Sequence, residues 1–126
     1  PSGQYTAMYK PFHLIGLELG ISVASVGLRS EATGAPIGFN ADVVATAKRD
    51  LAVGEVLDGE GGHTVYGKVM PATESLHLGG LPLGLAHKVR LRNAVGAGHP
   101  VRWDDVDIDE RQPAVAFRRA MEQAFR

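Results

Sequence analysis

The chain has 126 residues, enough for one domain with a modest core and too few for a dinucleotide-binding domain beside a substrate domain. Its 44% hydrophobic and 21% charged residues are ordinary for a soluble globular protein, and a formal net charge of -1 offers no electrostatic footprint to nucleic acid or an anionic membrane, so neither partner is expected. Zero cysteines exclude disulfides, thiolate metal sites and thiol nucleophiles, which is compatible with a reducing cytoplasm, and no apolar run reaches the ~18 residues a membrane span requires.

The chain opens at Pro1 without methionine, which fits either removal of an initiator methionine or a piece of a longer protein. Sixteen glycines, about twice the usual share, predict many tight turns. Residues 5–16, YTAMYKPFHLIG, are aromatic-rich, and Pro11 biases Lys10 toward extended backbone, so an irregular or strand-like opening segment is expected. From Leu17 to Ser30 the polar residues Glu18, Ser22, Ser25 and Arg29 recur at intervals of 4, 3 and 4 among apolar ones. That spacing predicts a helix wet along a narrow stripe, whose apolar face meets a partner surface. Gly34 and Pro36 are expected to stop it.

At Asp42 the period changes to two. Val43, Ala45 and Ala47 alternate with Val44, Thr46 and Lys48 in a predicted strand, and a second short strand follows Gly54 as EVLDG. Leu85, His87, Val89 and Leu91 alternate with Ala86, Lys88, Arg90 and Arg92, predicting a strand with one buried and one solvated face. These regions read as one unit used twice: placing Gly54 on Gly98 pairs Leu51 with Val95, Glu55 with His99, Leu57 with Val101 and Glu60 with Asp104. Glycine suits both corners because a positive φ costs other residues about 1 kcal/mol or more. The tail is a separate predicted helix, opened by Gln112 and Pro113, with Phe117, Met121, Ala124 and Phe125 on one stripe.

The residues that carry these hairpins, VVATAKRDLAVGEVLDGEG and LAHKVRLRNAVGAGHPVRWDDVDI, resemble the SAF, or antifreeze-like, β-clip module. The strings YKPFHLIGLELGISV, GEGGHTVYGKVMP and GGLPLGLAH resemble the C-terminal part of NAD(P)-dependent oxidoreductases related to homoserine dehydrogenase, the group that includes a reductoisomerase-like enzyme acting on deoxyxylulose phosphate. The likeness spans about residues 5 to 109. It implies a mainly β, α+β fold in which residues 1–40 are a remnant of a preceding substrate or dimerisation region, 41–110 form the SAF-like β-clip, and 111–126 form the C-terminal helix. It further implies that the nucleotide-binding domain, with its NAD or NADP, lies upstream and outside this chain. The residues agree, since GAGHPV at 96–101 supplies two glycines in a hairpin and opens no helix. One departure is His63, where the family is expected to carry Tyr or Phe.

Candidate substrate-binding residues are Tyr9, Lys10, His13, Glu60, His63 and His87. Tyr9, Lys10 and His13 unite a phenol, an ammonium and an imidazole suited to a phosphate or carboxylate. In extended backbone Tyr9 and His13 share one face and Lys10 the other, so convergence needs a bend; packing against the missing domain is the competing reading. The glycine run DGEGGHTVYG reads either as a mobile lid presenting Glu60 and His63 or as a connector between strands with Tyr66 on the sheet, and LHLGGLPLG at 76–84 reads as a turn. His87, on the apolar side of its strand, is expected to be a neutral core imidazole with one backbone hydrogen bond. The histidines lack metal-ligand spacing, and the acidic run WDDVDIDE reads as a solvated stretch before a helix.

Two functions remain open on these residues. The first is the accessory C-terminal domain of a cytoplasmic, oligomeric NAD(P)-dependent oxidoreductase acting on a small polar or sugar-derived substrate. The second is a free-standing SAF-type module that binds carbohydrate or protein. The apolar helix at 17–30 separates them, because such a surface is a liability on an isolated module.

Overall fold

The computed structural model describes residues 7–125, so Tyr5 and Thr6 of the opening segment lie outside it. The chain divides into two compact units, residues 1–37 and 38–126.

In the first unit, residues 7–14 are irregular with a bend at Pro11, and α1 spans Ile15–Arg29. It begins two residues earlier than the polar spacing predicts and ends sooner than Gly34 and Pro36 suggest. Ser30 takes the left-handed conformation, its N–H donating to the Val26 carbonyl and that of Glu31 to the Ser25 carbonyl, closing the last turn without glycine. No residue of α1 is buried, and Ile15, Leu17, Leu19, Ile21, Val23, Val26 and Leu28 are 62–86% exposed.

The second unit is mixed α+β. Its elements are β1 (Ala41–Ala47), β2 (Val56–Asp58), β3 (Val65–Pro71), α2 (Ala72–Leu78), β4 (His87–Leu91), β5 (Val106–Asp107) and α3 (Pro113–Ala124), with short 3-10 turns at Leu83–Leu85 and Trp103–Asp105. Antiparallel β1 and β3 make one sheet, and β2, β4 and β5 make the other in the order β2-β4-β5. Two elements differ from the sequence reading. The stretch after the glycine run is the full strand β3, and the segment read as a turn at 76–84 begins inside α2, whose last turn Gly79 closes at φ +69.

The duplication read from the sequence is present in the hydrogen bonds. Leu51 and Val95 exchange N–H to C=O bonds of 2.9 and 3.0 Å. Around them, Ala47 donates to His99 and accepts from Gly98 (2.9 and 2.8 Å), while Leu91 donates to Glu55 and accepts from Gly54 (2.8 Å each). Exchanging Gly54 for Gly98, and every other residue by the same offset, maps one set onto the other. Val101 to Ala45 is likewise the image of the Leu57–Val89 pair. The chain turns after each set at a glycine of positive φ, +83 at Gly54 and +77 at Gly98.

The core lies between the two halves: Leu51, Leu57, Val65, Leu81, Leu91, Val95, Val101 and Val106 are buried, with Trp103 and Val115 closing it on the α3 side. The stripe predicted on α3 is not its buried face. Val115 and Glu122 are buried, whereas Phe117 is 76% exposed. Polar packing, described below, overrides the apolar period.

Because Gly54 and Gly98 occupy equivalent corners with open space beside each Cα, Gly54→Ala and Gly98→Ala should each destabilise the fold by about 1–2 kcal/mol, through backbone strain alone. Urea unfolding of the two variants should show losses of similar size; a loss at only one corner contradicts the equivalence.

Candidate functional site

In the first unit Lys10 and His13 do converge, through the bend at Pro11, but on Glu18 of α1. Lys10 Nζ pairs with Glu18 Oε1, His13 Nδ1 lies 3.3 Å from Oε2, and the Leu14 amide approaches Oε1 at 3.4 Å. The Lys10 ammonium first, then His13, hold the Glu18 carboxyl below its ordinary range. Tyr9 stands apart, 88% exposed. The cluster therefore acts as a clip at the start of α1, where an acidic side chain also complements the helix dipole.

Glu60 and His63 sit exposed on the loop between β2 and β3. The loop is built around Asp58, whose carboxylate accepts from the His63 amide (2.6 Å), the Thr64 amide (3.0 Å) and the Thr64 hydroxyl. Those donors, the hydroxyl foremost, hold the Asp58 carboxyl far below its ordinary range. A Cβ at Gly62 would stand 2.1 Å from that carboxylate, so only glycine lets the backbone wrap this closely. Lys48 Nζ bonds the Gly62 carbonyl from outside. In this conformation the loop is tied at Asp58 and at Lys48.

His87 requires a correction. It is exposed, not a core imidazole, because Lys88 adopts φ +58 and forms a bulge: Leu57 faces Val89 but Asp58 faces His87. The extra residue reverses the alternation, so Ala86 is buried where the strict period puts His87. The ring is nevertheless held. Its Nδ1 lies 3.0 Å from the Asp58 carbonyl, which only accepts, so Nδ1 carries the proton and Nε2 is left as an acceptor in the neutral ring. Beside it runs a groove of about 440 Å³ between β4 and the start of α3, reaching Lys88, Asp107, Asp109 and Gln112. Of the six sequence candidates, His87 alone borders it.

The strongest electrostatic cluster was not found from the sequence. Asp42 on β1, 6% exposed, receives Arg118 of α3 through both terminal guanidinium nitrogens (3.1 and 2.5 Å) and the Ser75 hydroxyl of α2 (2.5 Å). Arg118 also donates to Glu122 (2.8 Å), which accepts from Arg119 (2.9 Å) and from the Trp103 indole (3.1 Å). Arg118 lies 5.0 Å over the Phe39 ring and Arg119 4.8 Å over Trp103. Burial raises the Asp42 pKa, but Arg118 and Ser75 outweigh it and leave the carboxyl below its ordinary range. Every partner is satisfied by another protein group, so this network is an anchor for α3 rather than a reactive centre. The Arg118–Glu122 spacing of four was visible in the sequence; its third member, 76 residues away, was not.

Arg118→Ala would strand Asp42 and should lower stability by about 3–5 kcal/mol, with Arg118→Lys recovering only part because it lacks the two-pronged fork. Since Asp42 titrates lower folded than unfolded, its contribution is complete above the unfolded value of about 4 and disappears as pH falls through the folded one. Denaturation between about pH 5 and about pH 2 should therefore show a shallower pH dependence in Asp42→Asn than in the parent chain. An unchanged slope contradicts this assignment.

Among the described residues no helix is long and apolar enough to cross a membrane, and no group of three or more His, Asp or Glu is placed to hold a metal ion. Comparison with known proteins adds no identity: no family model and no curated protein matches the chain.

Proposed function

We propose that this chain is the SAF-type β-clip accessory domain of a cytoplasmic NAD(P)-dependent oxidoreductase related to homoserine dehydrogenase. Its substrate is a small polar or sugar-derived molecule. Hydride transfer and the NAD or NADP site belong to an upstream domain, and this chain contributes an assembly surface and part of a binding wall. The observation that carries the reading is α1: seven large apolar side chains between Ile15 and Leu28 are each more than half exposed, the kind of surface a partner covers. An upstream domain or a second subunit against that helix removes the liability. The paired glycine corners support the β-clip part of the reading, since a repeated hairpin closing on itself is what the SAF-like sequence pattern describes.

The test is the native polypeptide. Intact mass measurement in the source cell should find this sequence within a chain longer than 126 residues, and that longer chain should oxidise or reduce a small polyol or hydroxy acid with NAD(P), while residues 1–126 alone turn nothing over. Hydrogen exchange across α1 should be slow in the longer chain and fast in this one. A native polypeptide ending at this length, binding carbohydrate without any nicotinamide chemistry, supports the free-standing module instead.

A further inference from the structure

We propose that the groove between β4 and α3 is a binding site for a small hydroxycarboxylate: a carboxylate held by Lys88, with hydroxyl groups given to Asp107 and His87. The inference deepens the reading above by giving its small polar ligand a place, and rests on that reading only for the ligand's link to a reaction.

The shape comes first. The groove's volume of about 440 Å³ falls in the range of small-molecule sites. Its lining includes the apolar residues Leu85, Val89, Ile108 and Val115, of which Val89 and Val115 are buried. Its rim is polar, and the polar groups come from three elements: His87 and Lys88 from β4, Asp107 from β5, and Gln112 at the start of α3. Polar groups from three elements bordering one concavity are what a small polar ligand needs for its orientation.

The chemistry of the rim selects the ligand. Lys88 has no ion-pair partner among the described residues, although Asp107 and Asp109 border the same groove. Each of those carboxylates is already engaged, Asp107 by Arg92 at 2.9 Å and Asp109 by Arg111 at 2.9 and 3.1 Å. The ammonium is thus left for an external anion. A phosphate dianion fits poorly, because two carboxylates flank the position. A carboxylate ligand bearing hydroxyls fits well: its single charge meets Lys88, and its O–H groups donate to the second oxygen of Asp107 and to Nε2 of His87, the nitrogen left as acceptor by the Asp58 carbonyl. The bulge matters here. Without the left-handed Lys88, His87 would point into the core and the two side chains would lie on opposite faces of β4.

The 126-residue chain, labelled with nitrogen-15, is titrated with glycerate and, in parallel, with propionate, which has the same single carboxylate and no hydroxyls. Glycerate should give saturable amide shifts confined to residues 84–89 and 107–115, and propionate at least tenfold weaker binding. Lys88→Asn removes the ammonium while tolerating the left-handed backbone, and should weaken glycerate at least tenfold without changing the thermal midpoint by more than a few degrees. His87→Ala should narrow the difference between the two ligands. Shifts scattered over the whole surface, equal response to both ligands, or unaltered affinity in Lys88→Asn each overturn the proposal. A negative titration beside an active longer enzyme removes this site and leaves the oxidoreductase reading standing. A positive titration beside a longer chain without nicotinamide turnover does the reverse.

Discussion

The second unit depends on the reciprocal backbone pair between Leu51 and Val95. Each residue donates its N–H to the other's carbonyl, which forces the two chain segments to cross at one point and to leave it in equivalent directions. Everything nearby obeys that crossing. The Ala47 bonds to Gly98 and His99 on one side are repeated as the Leu91 bonds to Gly54 and Glu55 on the other, and Leu57 beside Val89 is matched by Val101 beside Ala45. A backbone pair buried among apolar side chains cannot be exchanged for water without cost, so the arrangement is kept by the penalty of leaving four amide and carbonyl groups unpaired as much as by the bonds themselves.

The two halves are equivalent in their centres and different in what they attach. After β2 the chain makes the tight turn around Asp58 and returns as β3, a strand with no counterpart in the other half. After the second glycine corner it enters the 3-10 turn at Trp103 and proceeds to α3. These unequal additions are where the polar chemistry gathers. Asp58 fixes the loop and, through its carbonyl, the His87 ring; Trp103 gives its indole N–H to Glu122 and so draws α3 onto the core. The symmetric part supplies a rigid frame, and the asymmetric additions supply side chains that a ligand or partner can meet.

Much of this was legible in the sequence, and the failures share a cause. The helix around 17–30, the strand from 42, the glycine corners, the repeat and Pro113 as a helix start follow from local rules of period and turn chemistry. So does the convergence problem at Lys10 and His13, which the bend at Pro11 resolves on Glu18. Local rules do not see a partner distant in sequence. They miss Asp42 for Arg118, and with it the reason that α3 buries Glu122 and exposes Phe117. Strand β3 was hidden by Gly67 in its middle and Pro71 at its end, residues that ordinarily demote a strand. His87 was misplaced because an alternating pattern assumes unbroken pairing, and a single left-handed residue, Lys88, shifts the register by one.

The bulge also bears on why the groove lies where it does. A non-glycine residue at positive φ costs free energy, so the conformation of Lys88 must be compensated by what surrounds it. The compensation is visible on both sides: Val89 and Leu91 remain in the core beyond the bulge, and Ala86 enters it before the bulge, while the His87 ring gains the Asp58 carbonyl. An ordinary strand would bury His87 and demand a partner for both ring nitrogens in an apolar core. By inserting one residue the chain keeps its apolar contacts and places an imidazole and an ammonium together at the edge of a concavity. A connector serving only to join two sheets has no need of that displacement.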